Sequence, residues 1–299
     1  MEKKKRGDRN DARRVRGLDA MHVFMPYLLP NRTDNEAFVT ETVDLTAVNA
    51  FLAEKNKDNP AYKYTIFHVV AAALAKTIYL RPKLNRFIEG HRLYERNEIL
   101  LSFVAKRIFS DDGDEALILL NCDKDSTIDT IHDKICSRVS KTRKEGEVDD
   151  TTKLLNVLAN FPRFLLRFFV RVLRFLEYHG HLPAFLRYID PYHSTVFISN
   201  LGSIKLNSAY HHLTNWGTTS LFVVIGEKHF APVYDKDGKS EVREVLPLGI
   251  TLDERIADGY YYSKSINLLK YLLTHPEVLE LPADVPVEYE SNEKEGVKK

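Results

Sequence analysis

Three carboxylates and one guanidinium are concentrated in a short segment near the C-terminus, Asp253-Glu254-Arg255-Ile256-Ala257-Asp258-Gly259. The residues before this segment have the pattern of a strand and those after it the pattern of a helix. It is therefore expected to be a strand-end loop, the kind of place where a rigid scaffold presents functional groups. A carboxylate there is a candidate general acid or base. A solvated turn in which Arg255 pairs with a neighbouring acid is the alternative.

A second group of candidates lies upstream of this loop. His211 and His212 stand in the sequence AYHHLTNWG, after the predicted strand TVFISN. An imidazole titrates in the range that suits base catalysis. The histidine pair follows that strand closely along the chain, so we expect it either near the same cleft or as a structural pair on a loop.

Composition excludes several function classes. The chain has 43 Lys and Arg against 42 Asp and Glu, a net charge of +1, so no global field steers it onto nucleic acid. Its two cysteines, Cys122 and Cys136, lack the CxxC spacing of a zinc site and are too few for a disulfide framework. We therefore expect no metal, reduced thiols and a cytoplasmic location. Phosphate-binding, dinucleotide-binding, metalloprotease and nucleophile-elbow motifs are absent as well.

Helical and strand patterns interleave through the chain, which predicts an α/β fold. We expect a basic, solvated tail over residues 1–16, one domain over residues 17–281 and a charged tail over residues 282–299. The clearest helices are expected after Asp44, after Thr65, over 127–144 and over 260–274. The predicted strands cover 38–43, 99–109, 115–120, 195–200, 220–226 and 243–252, with turns at 110–114 and 235–238.

Residues 161–177 read FPRFLLRFFVRVLRFLE, in which four arginines would form one stripe along a helix. Three interpretations stay open. The helix is a core helix with a narrow polar edge, an interfacial helix that contacts a membrane or lipid surface, or an oligomer contact. Its charges are too regular for a bilayer-spanning segment.

The C-terminal loop resembles the DHRxxDG signature of the catalytic domain of 2-oxo acid dehydrogenase acyltransferases, which shares the fold of chloramphenicol acetyltransferase. Other segments are similar to elements of the same family. Phe197 to Gly202 resembles its FTISNLG strand, Pro82 to Asn85 its PxLN element, and Phe222 to Gly226 its AILGVG strand. Pro232-Val233 stands where the family has an RPVV-like segment. These elements follow one another in the family's order, from about residue 17 to residue 275.

The resemblance implies a two-layer sandwich in which helices pack on a mixed sheet, assembled as a homotrimer with its site between subunits. It further implies acyl-CoA as co-substrate and an acceptor that the sequence does not identify. By position, Ser199 would donate a hydrogen bond to the oxyanion, and Asp258, the acid that closes the motif, would support the site. No lipoyl or subunit-binding module is recognisable in the sequence, so we expect either another acyl acceptor or a substrate that a partner supplies in trans.

The sequence departs from the family at the catalytic histidine, because Glu254 occupies that position. A free Glu and a thiol differ by about 4 pKa units, so complete proton transfer costs about 5.7 kcal/mol. Burial would have to raise the pKa of Glu254 for it to act as the base. Three hypotheses remain: Glu254 is a desolvated base, another residue such as His211 or His212 has taken over, or the protein is a silent binding or assembly module.

Overall fold

The computed structural model describes residues 4–106, 115–144, 157–235 and 237–289. Its main sheet has seven strands: β2 (Glu36–Asp44), β5 (Ile99–Lys106), β6 (Glu115–Cys122), β7 (Val196–Asn200), β8 (Leu221–Ile225), β9 (His229–Tyr234) and β10 (Ser240–Asp253). They lie in the order β2-β10-β8-β7-β5-β6, with β9 paired to β10. The β5–β7 and β7–β8 pairs are parallel and the others antiparallel, so the sheet is mixed.

Four helices contribute to the hydrophobic core that covers one face of this sheet. The seven described α-helices are α1 (Ala20–Leu28), α2 (Thr46–Lys55), α3 (Ile66–Leu80), α4 (Ile128–Lys144), α5 (Arg163–Tyr178), α6 (Ala184–Ile189) and α7 (Gly259–Thr274). Side chains of α2, α3, α4 and α7 form the main core together with alternate residues of the central strands. The expected two-layer α/β architecture is confirmed.

Alternation along the central strands assigns each side chain to a face. Val196 and Ile198 of β7 belong to the main core beneath the helices. Phe197 belongs to a small second cluster on the opposite face, with Phe222 and Leu213. We call this opposite face, which no helix of the main core covers, the open face. Ser199 is two residues beyond Phe197, so its side chain points towards the open face.

Local sequence explains where the central helix α3 begins and ends. Thr65 and His68 form a capping box, in which each side chain accepts a hydrogen bond from the other's backbone N–H. The helix ends at Leu80, just before Pro82, as expected from the proline. Asp44 accepts a hydrogen bond from the Thr46 backbone N–H at 2.9 Å, although Leu45 is the capping residue of α2.

The N-terminal segment differs from the solvated tail that the sequence predicts. Strand β1 (Ala12–Arg14) adds to a small antiparallel sheet with β4 (Arg92–Arg96) and β3 (Arg86–Glu89). Arg9 is 5% exposed and donates to the Glu177 carboxylate at 2.6 Å. Its charge is buried because a distant acid pairs with it, a partner that local composition does not reveal.

Two other predicted boundaries concern the C-terminal segment after residue 281 and the turn at 110–114. The C-terminal segment packs further than expected, since Ala283 is 1% exposed and Tyr289 donates to the Lys264 carbonyl at 3.1 Å. The predicted turn at 110–114 and the final residues 290–299 lie outside the described part of the chain. Neither α1 nor the small sheet was expected from the sequence. Among the described residues, no helix is both long enough and apolar enough to span a bilayer.

A buried histidine joins the small sheet region to the end of α5. The ring nitrogens of His193 lie 3.1 Å from the Asp190 carboxylate and 3.4 Å from the Glu177 carboxylate. Burial lowers the pKa of His193, but the two carboxylates outweigh it and the net pKa is raised. His193 is therefore expected to carry a proton in the folded protein over a wider pH range than in the unfolded chain.

This raised pKa predicts the pH dependence of stability. Because the folded pKa lies above the unfolded value near 6.5, the contribution of His193 is complete below that pH. The contribution is lost as pH rises through the folded pKa. The difference in unfolding free energy between wild type and His193→Gln should therefore be largest at acidic pH and shrink above neutrality. Urea unfolding across this range measures it, and a difference that grows with pH would contradict the assignment.

Candidate active site

Ser199 is the polar residue that the central sheet presents at the carboxyl end of β7. Its side chain is half-buried, and within the described residues its hydroxyl makes no hydrogen bond. Asn200, the next residue, faces the helix side and borders a cavity. The hydroxyl is thus free to donate to a ligand that approaches the open face.

The loop that follows Ser199 crosses the open face in close contact with the sheet. A Cβ on Gly249 of β10 would overlap the carbonyl oxygen of Ala209, and one on Gly226 would overlap the backbone nitrogen of Ser208. The loop continues to β2, where Tyr210 hydrogen-bonds Thr40. These two glycines therefore permit the close approach that brings His211 and His212 over the sheet.

His211 lies on the same face as Ser199. Its ring stacks on Phe222 with centroids 4.1 Å apart, and Phe222 stacks on Phe197 at 4.9 Å. The Nδ1 of His211 lies 2.8 Å from the carbonyl oxygen of His212. A carbonyl only accepts, so Nδ1 carries the proton and Nε2 keeps its lone pair. The geometry thus leaves His211 Nε2 as a proton acceptor.

Strand register gives the spacing between these candidates. Phe197 pairs with Phe222, and Ser199 with Val224, one step along the same strands. Phe222 is therefore one strand over and two residues back from Ser199, about 8 Å between Cα atoms. The His211 ring above Phe222 lies in the neighbourhood of Ser199 within a single chain.

The acidic loop is held by a buried ion pair. Asp253 is 0% exposed and binds the Arg255 guanidinium with both oxygens, at 2.8 and 2.7 Å. Arg255 also donates to the Leu29 carbonyl at 2.9 Å. A second guanidinium, that of Arg32, lies 3.7 Å from Asp253. The pairing of Arg255 with a neighbouring acid is confirmed, but the pair is buried rather than solvated.

Glu254 itself is exposed in the single chain. Its backbone N–H donates to the Asn35 carbonyl at 2.9 Å, and within the described residues its carboxylate has no hydrogen bond or ion pair. The burial that a desolvated base requires is not supplied by this protomer. Another copy of the chain would have to supply it.

Ser199 and Glu254 lie at opposite ends of the central strands in one chain. Ser199 is level with Val224 and, across the next strand, with Gly249. Glu254 lies just past the end of β10, five residues beyond Gly249 and near the amino end of β8. Two strand spacings and five residues place the two Cα atoms on the order of 20 Å apart. A site that contains both residues must therefore combine two protomers.

Asp258 caps helix α7. Its carboxylate accepts a hydrogen bond from the Tyr261 backbone N–H at 2.8 Å. That bond is the main cause of the lowered pKa of Asp258. The side chain is exposed, and its role within the single chain is to cap this helix.

The capping role makes a direct prediction. Asp258→Ala should lower the free energy of unfolding by about 1 kcal/mol, whereas Asp258→Asn should retain most of it, because an amide oxygen also caps. Urea unfolding at neutral pH measures both variants. Equal stability of wild type and the alanine variant would show that the cap contributes nothing.

Helix α5 carries the arginine stripe. The interpretation of this segment as a core helix is wrong. Of its side chains only Glu177 is buried, and Phe164 is 74% exposed. Phe168 and Phe175 are exposed as well. The end of α5 approaches α1 at His91, whose ring stacks on Tyr27 and contacts Tyr178 edge-on. Several apolar side chains of α1 are also exposed, so the two helices together present an uncovered apolar surface.

Sequence reasoning did not find Arg32, Asp190 or His193 as parts of buried charge clusters. Arg32 is paired with Asp253, far away in sequence, and no local spacing marks it. Asp190 and His193 are only three residues apart, so their spacing was a usable signal. Sequence reasoning also missed the convergence of His68, His132 and Cys136, although the spacing of the last two on a predicted helix was a usable signal.

Comparison with known proteins confirms the family resemblance. Residues 186–281 match the sequence profile of the 2-oxoacid dehydrogenases acyltransferase (catalytic domain). Among curated protein sequences no relative matches the chain.

Solved structures share the fold over most of the chain. A probable dihydrolipoamide acetyltransferase of Listeria monocytogenes is 18% identical with a TM-score of 0.57, over 86% of this chain and 89% of that one. A dihydrolipoamide acetyltransferase of Azotobacter vinelandii is 16% identical with a TM-score of 0.59, over 88% and 89%. A chloramphenicol acetyltransferase is 11% identical with a TM-score of 0.51, over 88% and 98%.

Proposed function

We propose that the protein transfers an acyl group from a CoA thioester to a nucleophilic acceptor. The chain has the fold of the 2-oxo acid dehydrogenase acyltransferase catalytic domain, and residues 186–281 match the sequence profile of that domain. One observation carries the proposal. Ser199 offers a hydroxyl that makes no hydrogen bond within the described part of the chain, at the end of a central strand and on the face that also holds His211.

In this reaction Ser199 acts on the tetrahedral intermediate. The acceptor attacks the thioester carbonyl carbon and the carbonyl oxygen becomes an oxyanion. The Ser199 hydroxyl donates to that oxyanion, a stabilisation made mainly in the transition state. Collapse of the intermediate breaks the carbon–sulfur bond and releases CoA as its thiolate.

We assign the general base to His211. Its Nε2 takes the proton of the acceptor as the acceptor attacks, and returns that proton to the departing CoA thiolate. The hydrogen bond from Nδ1 to the His212 carbonyl fixes the tautomer that this step needs. His212 then acts as a positioning residue through its backbone.

Glu254 and Asp258 remain candidates for a site between protomers. In the Azotobacter enzyme a serine, a histidine and an asparagine were investigated for their catalytic roles. Ser199, Glu254 and Asp258 stand at the positions that we align with these three by motif. We propose a homotrimer, as the resemblance implies, because Glu254 meets Ser199 only from another copy. Sedimentation equilibrium tests the trimer, and a monomer would remove the interface site.

The experiment that tests the function follows free CoA. Purified protein is mixed with acetyl-CoA and a panel of thiol, amine and hydroxyl acceptors. Acceptor-dependent release of CoA that is lost in both Ser199→Ala and His211→Gln supports the proposal. No release with any acceptor, together with measurable CoA binding, would favour the silent binding or assembly module.

A second candidate function rests on the exposed surface of α5. We propose that this helix binds anionic membrane surfaces, since exposed phenylalanines alternate with Arg163, Arg167, Arg171 and Arg174. Wild type should float with anionic vesicles at low salt, whereas Phe168→Glu should not. Phe230→Glu on the exposed hairpin strand β9 is the matched control. Absence of wild-type co-flotation at low salt would remove this candidate.

A further inference from the structure

Three side chains with metal-binding atoms converge where α3 begins beside α4. His132 and Cys136 are four residues apart on α4 and so lie on one face of that helix. The Sγ of Cys136 is 3.5 Å from His132 Nε2 and 3.9 Å from His68 Nε2. The three ligand atoms all lie within 4.8 Å of one another.

These spacings are close to those of a tetrahedral zinc site. With Zn–S near 2.3 Å and Zn–N near 2.0–2.1 Å, sulfur and nitrogen ligands are about 3.5 Å apart and two nitrogens about 3.4 Å. The distance from Cys136 Sγ to His132 Nε2, 3.5 Å, therefore already fits, and the distance to His68 Nε2, 3.9 Å, is slightly long. The imidazoles need to approach each other by at most about 1.4 Å, a shift that side-chain rotation can provide.

The far side of each imidazole has a partner that would orient it. The Nδ1 of His132 lies 3.0 Å from the Asp133 carboxylate, and the Nδ1 of His68 lies 2.9 Å from the Thr65 hydroxyl. For His132, a carboxylate that accepts from Nδ1–H leaves Nε2 to the cation. The Nδ1 of His68 accepts from the Thr65 backbone N–H at 3.0 Å, so the neutral ring carries its proton on Nε2. Ligation by His68 moves that proton to Nδ1, where the Thr65 hydroxyl accepts it, and breaks the hydrogen bond from the backbone N–H. In the metal-free chain His132 Nε2 instead contacts the Tyr62 carbonyl at 3.0 Å, and the cation would take the place of that proton.

Ligation needs a neutral imidazole at each histidine and a thiolate at Cys136. The thiol of Cys136 has a raised pKa because of burial and the nearby Asp133. A cation would displace this thiol proton on binding.

We propose that His68, His132 and Cys136 bind Zn²⁺, with one coordination position left open. Imidazole and thiolate together suit this cation. Three protein ligands leave a fourth position for water or a small ligand. His68 and Cys136 line a cavity of 580 Å³ that also borders Phe103 and Asn200, which offers room for such a ligand. The site is independent of the proposed acyl transfer.

Cobalt substitution tests the site with the whole protein. Co²⁺ titrated into the reduced protein should bind one equivalent and produce an intense thiolate-to-cobalt charge-transfer absorption, which Zn²⁺ then abolishes. Cys136→Ser should lose the absorption. Cys122→Ala, which removes the other thiol from strand β6, should retain it. The absorption requires sulfur, so exposed histidine pairs elsewhere do not produce it.

Thermal unfolding provides the second readout, which also shows that the variants fold. Zn²⁺ should raise the Tm of wild type and of Cys122→Ala, and leave the Tm of His132→Gln and Cys136→Ser unchanged. No charge-transfer absorption in wild type, or an absorption that persists in Cys136→Ser, would overturn the proposal. An equal Zn²⁺-dependent rise in all four proteins would overturn it as well.

Discussion

Ser199→Ala should lower the kcat of acyl transfer by about 10²–10³-fold, with a smaller change in KM, because the lost donor acts on the oxyanion and not on the bound thioester. The Ser199 hydroxyl makes no hydrogen bond within the described residues. Its removal is therefore expected to leave the folded state intact. Initial rates of CoA release over a range of acetyl-CoA concentrations separate the two constants.

The control for this variant is Ser203→Ala. Ser203 follows in the next turn, where its hydroxyl donates to the Asn200 carbonyl at 2.7 Å, so it resembles Ser199 in residue type and neighbourhood. Its replacement should change kcat little. Equal kcat values for wild type and Ser199→Ala would show that this hydroxyl does not stabilise the transition state.

Asp253→Ala should lower the free energy of unfolding by about 3–5 kcal/mol, the cost of removing one partner from a buried ion pair. Asp253 is 0% exposed, and its loss leaves the guanidiniums of Arg255 and Arg32 without their shared carboxylate. Each guanidinium keeps hydrogen bonds to backbone carbonyls but carries an uncompensated buried charge. Urea denaturation, followed by circular dichroism, measures the loss.

The adjacent residue provides the control for this prediction. Glu254→Gln changes an exposed carboxylate one position further along, without an ion pair among the described residues, and should alter the unfolding free energy by less than about 0.5 kcal/mol. If Asp253→Ala is too unstable to purify, Asp253→Asn keeps the shape and loses only the charge. Unchanged stability in both Asp253 variants would show that the buried pair does not hold the loop.

Sequence patterns predicted the parts of the fold whose causes are local. The apolar strands β7 and β8, the alternating strand β2 and the Thr65 cap of α3 all follow from neighbouring residues. The prediction of a basic N-terminal tail was wrong because Arg9 pairs with Glu177, far along the chain, as well as with nearby Asp11. Pairing across such a distance leaves no local signal.

The candidate site was predicted in part, for a similar reason. Ser199 was named from the family resemblance and His211 from its residue type and its place after the same strand, and register brings both onto one face of the sheet. The distance between Ser199 and Glu254 was not predictable from the motif, because a motif does not report at which end of the strands each residue lies. The structure supplies that information through the pairing of β7, β8 and β10.

Whether Ser199 and His211 form the transfer centre on one face of a single protomer is tested most directly by kcat/KM for His211→Gln and Glu254→Gln in one CoA-release assay. The loss in His211→Gln should exceed the loss in Glu254→Gln by at least about tenfold, as expected for removal of a general base. A severe loss in Glu254→Gln with near wild-type rates in His211→Gln would contradict it and place the base at a subunit interface.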